Sequence, residues 1–342
     1  VEINSFINSA EALSSLLESI DNKVILCDHN TYTYCFSKLK LDSEVPLIIV
    51  EEGEESKSMK SLEVLLEKLT NIKCDRKTTL INLGGGVITD LGGFAASIYK
   101  RGIPFINIPT SLMAMVDAAN GGKTGINFLG NKNYLGTFTK PKYVWIWPGF
   151  LKTLNQKEIL SGFAEMLKHG LIADPVYFKT LAQLNLKEDI DSDIDWRPLI
   201  EKSVEIKSEI TNRDFKESGD RKLLNFGHTV GHAIESFFMD NHTSHGYYVA
   251  AGMICEAWLS KTLGNLTEFE FEEIVQTVDR FFERITLSEN QKIEIAELVI
   301  NDKKSTSKTI QCVFLNHIGS AEFDKPITPQ DVIESFNYYS PN

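Results

Sequence analysis

Short runs of β-branched and aliphatic residues alternate with helically spaced apolar positions through the first 150 residues. Lys23-Val-Ile-Leu-Cys27, Val45 to Val50, Thr78 to Leu83 and Pro104 to Ile108 carry the strand pattern, and Lys57 to Leu69 and Leu91 to Lys100 carry the helical one. Strands this short, separated by helices, predict βαβ units in a mostly parallel sheet with ligands beyond the strands' carboxyl ends. From about Leu151 the texture changes. Gln156 to Ile172, Trp196 to Thr211, Tyr248 to Leu263 and Phe269 to Arg284 have helical period, and strand-like runs almost vanish apart from Thr309 to Phe314. The pattern predicts a Rossmann-like α/β domain over residues 1–150, followed by an all-α domain over residues 151–342. The cleft between two such domains is the expected place for a site. The acidic stretch Glu188 to Asp195 reads as a solvated loop.

Composition narrows the chemistry. With 342 residues, 42% hydrophobic and 24% charged, the chain has ordinary globular proportions and can bury a real core. Lys and Arg number 35 against 47 Asp and Glu, a net charge of -12, which argues against a nonspecific grip on nucleic acid or an anionic membrane. An anionic ligand must therefore meet a local cluster of cations. The five cysteines (Cys27, Cys35, Cys74, Cys255, Cys312) are far apart and form no CxxC pair, so a disulfide framework and a thiolate metal site are both disfavoured and a reducing cytoplasm is expected. Val1 to Ser14 lacks the basic start and apolar run of a signal peptide. Nowhere do about 18 apolar residues run together, so no membrane span is expected.

Two glycine clusters stand out. Thr78-Thr-Leu-Ile-Asn-Leu83 runs into Gly84-Gly85-Gly86-Val-Ile-Thr-Asp90 and then a helical pattern, which puts bare backbone and a helix N-terminus where a pyrophosphate could approach. The segment is not GxGxxG, and a tight turn without a ligand is the competing reading. The second cluster, Asp117-Ala-Ala-Asn-Gly121-Gly122-Lys123-Thr124, has Asp117 where a P-loop needs glycine. What remains is a glycine-flanked lysine beside a carboxylate, suited to phosphate and hydroxyl contacts or simply a loop lysine.

Six of the seven histidines follow residue 168, and His228, His232, His242 and His245 fall close together, which points to a metal. No Glu follows His228, so this is not an HExxH protease helix. Arg221, Asn225, His228 and His232 recur at steps of four, three and four among Leu223, Leu224, Phe226, Val230 and Ile234, predicting a polar stripe on an apolar helix. Gly227 and Gly231 in that helix are expected to admit a close neighbour or ligand. A catalytic zinc takes three N or O ligands, and Glu165 is a carboxylate candidate, while spacing leaves His169, His232 and His242 all open as partners.

Gly84-Gly-Gly-Val-Ile-x-Asp90, Lys100-Arg-Gly102, Pro109-Thr110, Val116-Asp117, Gly121 to Asn127, Ala164-Glu165 and Leu224-Asn-Phe-Gly-His-Thr-Val-Gly-His-Ala-Ile-Glu235 occur in this order. Together they resemble the 3-dehydroquinate synthases, within the sugar phosphate cyclases, from about Asp28 to about Gly319. The resemblance implies a dehydroquinate synthase-like fold and Zn2+ (with Co2+ as a substitute) held by Glu165, His228 and His245. It implies NAD held by Asp28, Glu54, Lys57, Gly85, Gly86, Val87, Ile88, Thr89, Asp90, Thr110, Ser111, Lys123, Lys132, Phe150, Leu151, Lys152 and Thr153. Lys123, Lys168, Lys207, Arg221, Asn225, His232 and Asp117 would carry catalysis, and Arg101, Lys132, Asn133 and Lys303 would hold a phosphorylated sugar acid. Arg101 would reach the substrate of a neighbouring subunit, making a homodimer part of the expectation. The implied reaction converts 3-deoxy-D-arabino-heptulosonate 7-phosphate to 3-dehydroquinate and phosphate by transient NAD oxidation, phosphate elimination, re-reduction and aldol closure. It is the second step of the shikimate route to aromatic amino acids.

Four positions depart from the family's habit: Thr89 for glycine, Met115 for glutamine, Asn120 for valine and Tyr247 for glutamate after His-Gly. Thr89 bears on the approach of a pyrophosphate, and Tyr247 on the surroundings of His245. A metal-dependent polyol dehydrogenase is the first rival, but it has no need for so many phosphate-binding cations. A cyclase for a sugar phosphate without a carboxylate would leave Arg221 and Lys207 unexplained. A non-catalytic NAD-binding regulator would not need all three metal ligands.

Overall fold

A computed structural model describes the chain except residues 1–3, 42–44, 187–193, 239–243, 303–309 and 341–342, and the side chains of 300–302. It divides into two compact units, Val1–Asn155 with Asp193–Val204, and Gln156–Ser192 with Glu205–Asn342.

The first unit is built on β1 (Asn4–Phe6), α1 (Ala10–Glu18), β2 (Lys23–Asp28), α2 (His29–Tyr34), β3 (Leu47–Val50), α3 (Met59–Asn71), β4 (Thr79–Gly84), α4 (Gly86–Ile98), β5 (Phe105–Pro109), β6 (Lys123–Phe128), β7 (Asn131–Phe138) and β8 (Tyr143–Ile146). Six of these strands form one sheet in the order β1-β8-β5-β4-β2-β3, with every pair parallel. Every residue of β4 and β5 is buried, as strands covered on both faces require. From β2 the chain steps outward to β3, then returns to β4 on the other side and proceeds through β5 to β8. The switch point between β2 and β4 is where such sheets bind ligands, and Asp28 and Gly84 end those two strands. Ser58 caps α3 by accepting from the Ser61 amide, and Leu62, Leu65 and Leu69 bury its apolar stripe among Leu80, Ile88 and Leu91.

The expected strands and helices of this unit are present, with α4 shifted. It starts at Gly86 because the β4 turn leads straight into it, and stops at Ile98 because Lys100 and Arg101 adopt φ of 49° and 70°. The sequence pattern missed β1, α1, α2, β8 and the β6–β7 hairpin. The hairpin places Lys123 on a strand rather than in a loop, and turns through Leu129 and Gly130, both at positive φ.

The second unit holds α5 (Gln156–Ala173), α6 (Pro175–Ala182), the later part of α7 (Trp196–Arg213), α8 (His228–Phe238), α9 (His245–Leu263), α10 (Glu268–Phe281), α11 (Glu289–Asp302), β9 (Ile310–His317), β10 (Ser320–Ile327) and α12 (Pro329–Tyr339). Helix α9 is its axis, packed by α5, α8, α10, α12 and β9. Thr267 with Glu270 and Thr328 with Asp331 form capping boxes on α10 and α12. The expected all-α character is corrected by β10, which pairs antiparallel with β9. Among the described residues no helix is long and apolar enough to cross a membrane.

Candidate active site

In the second unit a buried carboxylate faces imidazoles. Glu165 of α5 is 1% exposed, and its Oε1 lies 3.3 Å from His228 Nε2 and 3.8 Å from His245 Nε2. The donor atoms of His228, His232 and His245 lie within 4.8 Å of one another. His228 Nδ1 is 3.1 Å from the Phe226 carbonyl, and His245 Nδ1 is 3.3 Å from the Glu235 carboxylate. A carbonyl and a carboxylate accept hydrogen bonds, so each ring is oriented through its Nδ1 and turns its Nε2 edge toward Glu165. Glu165 Oε1 is buried and has no hydrogen-bond partner. Its other oxygen accepts from Lys168, itself 1% exposed. Burial alone would raise the Glu165 carboxyl; the Lys168 ammonium, with His228 and His245, outweighs it and holds the group well below the usual carboxylate range. Burial and Lys168 together lower the His228 pKa. A buried carboxylate oxygen without a hydrogen-bond partner and two imidazole nitrogens turned toward it fit a divalent cation of zinc's kind.

The polar stripe does not lie on one helix. Arg221 and Asn225 fall in a short 3-10 turn, Asp220–Asn225, and His228 begins α8. Gly227 breaks the two at φ 78°, a conformation that a side chain at this buried position would strain. The close approach expected at Gly227 and Gly231 is made by α9. A Cβ on Gly252 of α9 would sit 1.9 Å from the Gly227 carbonyl oxygen and 2.7 Å from the Gly231 nitrogen. Backbone therefore touches backbone where α8 crosses α9, and the two helices that carry His228 and His245 are locked together. Glu256, fully buried on α9, accepts from the amides of Gly227 (2.8 Å) and Val230 (3.0 Å). Ser161 of α5 accepts from the Gly246 amide at the start of α9. Sequence reading missed both capping side chains, although an acid in the apolar run Gly252-Met-Ile-Cys-Glu256 was a visible signal.

Arg221 is 2% exposed, and its guanidinium donates to the Phe215 carbonyl at 2.7 Å. Asp214 organises this loop, taking the amides of Gly219 (2.7 Å), Ser218 (3.1 Å) and Arg221 (3.2 Å), which pull its pKa down to about 2. Asn225 donates to Glu217 at 2.9 Å. Lys207 is buried on α7 and His169 on α5, the latter outside the three-imidazole group. His242 and Lys303 lie outside the described residues, as does most of Glu188 to Asp195.

In the first unit, Gly85 caps α4 without any side-chain bond, so the helix's first amides are presented at the switch point, as an anion site needs. Asp28 accepts from the Thr31 amide, starting α2. Lys57, 4% exposed, pairs with Asp90 at 2.8 Å and also donates to Asn133, while Glu54 accepts from Asn127 at 2.9 Å. Burial would lower Lys57, but Asp90 and Glu54 outweigh it and raise its pKa. Thr110 donates its amide to Gly84, and Ser111 stands beside Gly85. Asp117 sits in a π-turn, Ala114–Ala118; Lys123, Lys132, Arg101 and Lys152 are exposed. Ile88, Phe150 and Leu151 are core side chains, so only their backbone could reach a ligand. Thr153 turns its hydroxyl onto the Phe150 carbonyl, and Val87 is partly exposed.

The four departures are accommodated. The Thr89 hydroxyl folds back to the Gly86 carbonyl and is 1% exposed, and Met115 is buried. Asn120 donates to the Met115 carbonyl at 2.7 Å, within the turn that carries Asp117. Tyr247 packs edge-on to Phe282, and the carboxylate beside His245 is Glu235.

Solved structures with this architecture include 2-epi-5-epi-valiolone synthase from Streptomyces hygroscopicus subsp. jinggangensis, with NAD+ and Zn2+ bound. It matches with a TM-score of 0.84 and 22% identity over 99% of this chain and 96% of that one. A 2-deoxy-scyllo-inosose synthase complexed with carbaglucose-6-phosphate, NAD+ and Co2+ matches at 0.81 and 20%, over 98% and 96%. The fold is that of the sugar phosphate cyclases. Residues 47–161 match the family model for the 3-dehydroquinate synthase N-terminal region, and 162–305 that for its C-terminal region. A 3-dehydroquinate synthase of Parabacteroides distasonis is 39% identical over 332 residues, 96% of this chain and 93% of that protein. The chain belongs to the 3-dehydroquinate synthase family.

Proposed function

We propose that this chain converts 3-deoxy-D-arabino-heptulosonate 7-phosphate to 3-dehydroquinate and phosphate. The observation that carries the reading is the buried Glu165 oxygen, without a hydrogen-bond partner and faced by two imidazole nitrogens. Glu165, His228 and His245 would hold zinc, while Asp28, the Gly85–Asp90 turn, Glu54, Lys57 and Thr110 would hold NAD. When bound, NAD accepts and returns the C5 hydride and zinc polarises the C5 hydroxyl.

The chain's own residues do the rest. Arg221 and Lys207 grip the substrate carboxylate, since a guanidinium held by its loop can offer two parallel N–H bonds without rearranging. Lys123, Lys132 and Asn133 of the hairpin, with Arg101 from a second copy of the chain, would meet the phosphate. Asp117 and Asn225 orient hydroxyls, and His232 is placed to move a proton. A net charge of -12 makes these cations a local exception and disfavours nucleic acid or membrane as partners. Five free, buried cysteines suit the cytoplasm.

The decisive assay is bookkeeping of the hydride. With catalytic traces of NAD, one phosphate should be released per substrate while NADH absorbance stays flat, because the C5 hydroxyl reappears in the product. A polyol dehydrogenase must reduce NAD in proportion to substrate. Stoichiometric NADH, or no phosphate release with zinc and NAD present, overturns the synthase reading.

A further inference from the structure

We infer that Glu256 is a positioning residue for the metal centre, acting through the first turn of α8. The inference rests on the metal reading above. Glu256 is 0% exposed and lies one turn beyond Gly252 on α9. One carboxylate oxygen takes the Gly227 amide and the other takes the Val230 amide, so the two bonds straddle His228. Those amides belong to a helix N-terminus that has no intrahelical acceptor for them. A buried anion there is also favoured by the helix dipole.

The consequence reaches His228 through the backbone. Gly227 holds a positive φ, and the Phe226 carbonyl that fixes the His228 ring by its Nδ1 is the carbonyl of the peptide whose N–H is bonded to Glu256. Glu256 thereby sets the plane of that peptide and the direction of His228 Nε2 toward Glu165. Because α9 begins with His245, one helix supplies a ligand at its start and aims a second ligand three turns later.

The test is a zinc titration of the purified chain against a competing chelator, with thermal melts in the presence and absence of zinc. Glu256→Gln keeps the volume but turns an NH2 toward one of the two amides. Zinc affinity should fall about 10- to 100-fold, as for other side chains that orient ligands, and the rise in Tm on adding zinc should shrink. Glu256→Asp, which keeps the charge but withdraws it by one methylene, carries the same readout should Glu256→Gln fail to fold. A purely structural cap would lower Tm equally with and without zinc and leave affinity unchanged, which overturns the inference. If the unmodified chain binds no zinc, or His228→Ala binds it as tightly, the metal reading itself has failed.

Discussion

Replacing Gly252 by alanine tests whether the α8–α9 crossing governs the site. In an ordinary helix interior the change would stabilise by about 1 kcal/mol through propensity alone. Here the new Cβ would lie 1.9 Å from the Gly227 carbonyl oxygen, where 3.4 Å is ordinary contact, so backbone must yield by about 1.5 Å. No flexible side-chain end is available to move instead. Overpacking of this kind costs typically about 1–3 kcal/mol. The carbonyl that must give way precedes His228, and metal ligation tolerates only about 0.2 Å of error. The expected outcome is a Tm lowered by several degrees, at roughly 2–4 °C per kcal/mol for a unit of this size, together with weakened zinc binding. Differential scanning calorimetry and a zinc titration check both. A variant as stable as the parent, or more so, with unchanged zinc affinity would refute the crossing as the element that sets the ligands.

Three further outcomes are expected. Arg221→Ala should raise KM for the sugar acid, with kcat/KM falling by about 2–5 kcal/mol equivalent, and Arg221→Lys should already be damaging; unchanged steady-state kinetics would remove the carboxylate site. Chelation should abolish turnover while circular dichroism retains most of the helical signal, His245→Ala should be inactive and His242→Ala should not be; a fully metal-free protein that turns over normally contradicts the ligand set. Burial pushes Cys27 and Cys255 up to about 12 and Cys35 to about 11, so these thiols stabilise the fold fully below pH 9, the unfolded value, and that contribution is lost as pH rises toward 12. Urea midpoints at increasing pH, and mass spectrometry after iodoacetamide at pH 8, should show falling stability and unlabelled native thiols.

The parallel sheet was legible because β2, β3, β4 and β5 are rich in Val, Ile and Leu with at most one Asn in mid-strand, close to what a strand buried on both faces looks like. The β6–β7 hairpin was not, since its residues are chosen for a polar, half-solvated ribbon: Gly125 and Gly136 face each other across it, and their pairing hides the alternation. Strand β1 is three residues long, too short for any period, and β10 carries Asp324 and Pro326. The grouping of His228, His232 and His245 was legible as a cluster, but the polar stripe looked continuous because the positive φ at Gly227 leaves no trace in residue spacing. Glu256 shows the reverse. A lone acid in an otherwise apolar helix was in plain view, and only the three-dimensional contact says which amides it serves.

The hydrogen bonds around Lys57 tie two sets of proposed ligand contacts into one. Glu54 and Lys57 are assigned to the cofactor and Asn133 to the substrate, yet Lys57 donates to Asn133, and Asn127 joins Glu54 to the Asn133 amide. A two-stranded ribbon is marginal by itself. A dinucleotide held by Glu54 or Lys57 would therefore change how firmly Asn133 is held. By linkage the sugar acid must alter dinucleotide affinity by the same factor. Order of addition would then depend on four side chains: an enzyme that must keep its reduced cofactor until the hydride is returned would gain from substrate and cofactor each slowing the other's escape.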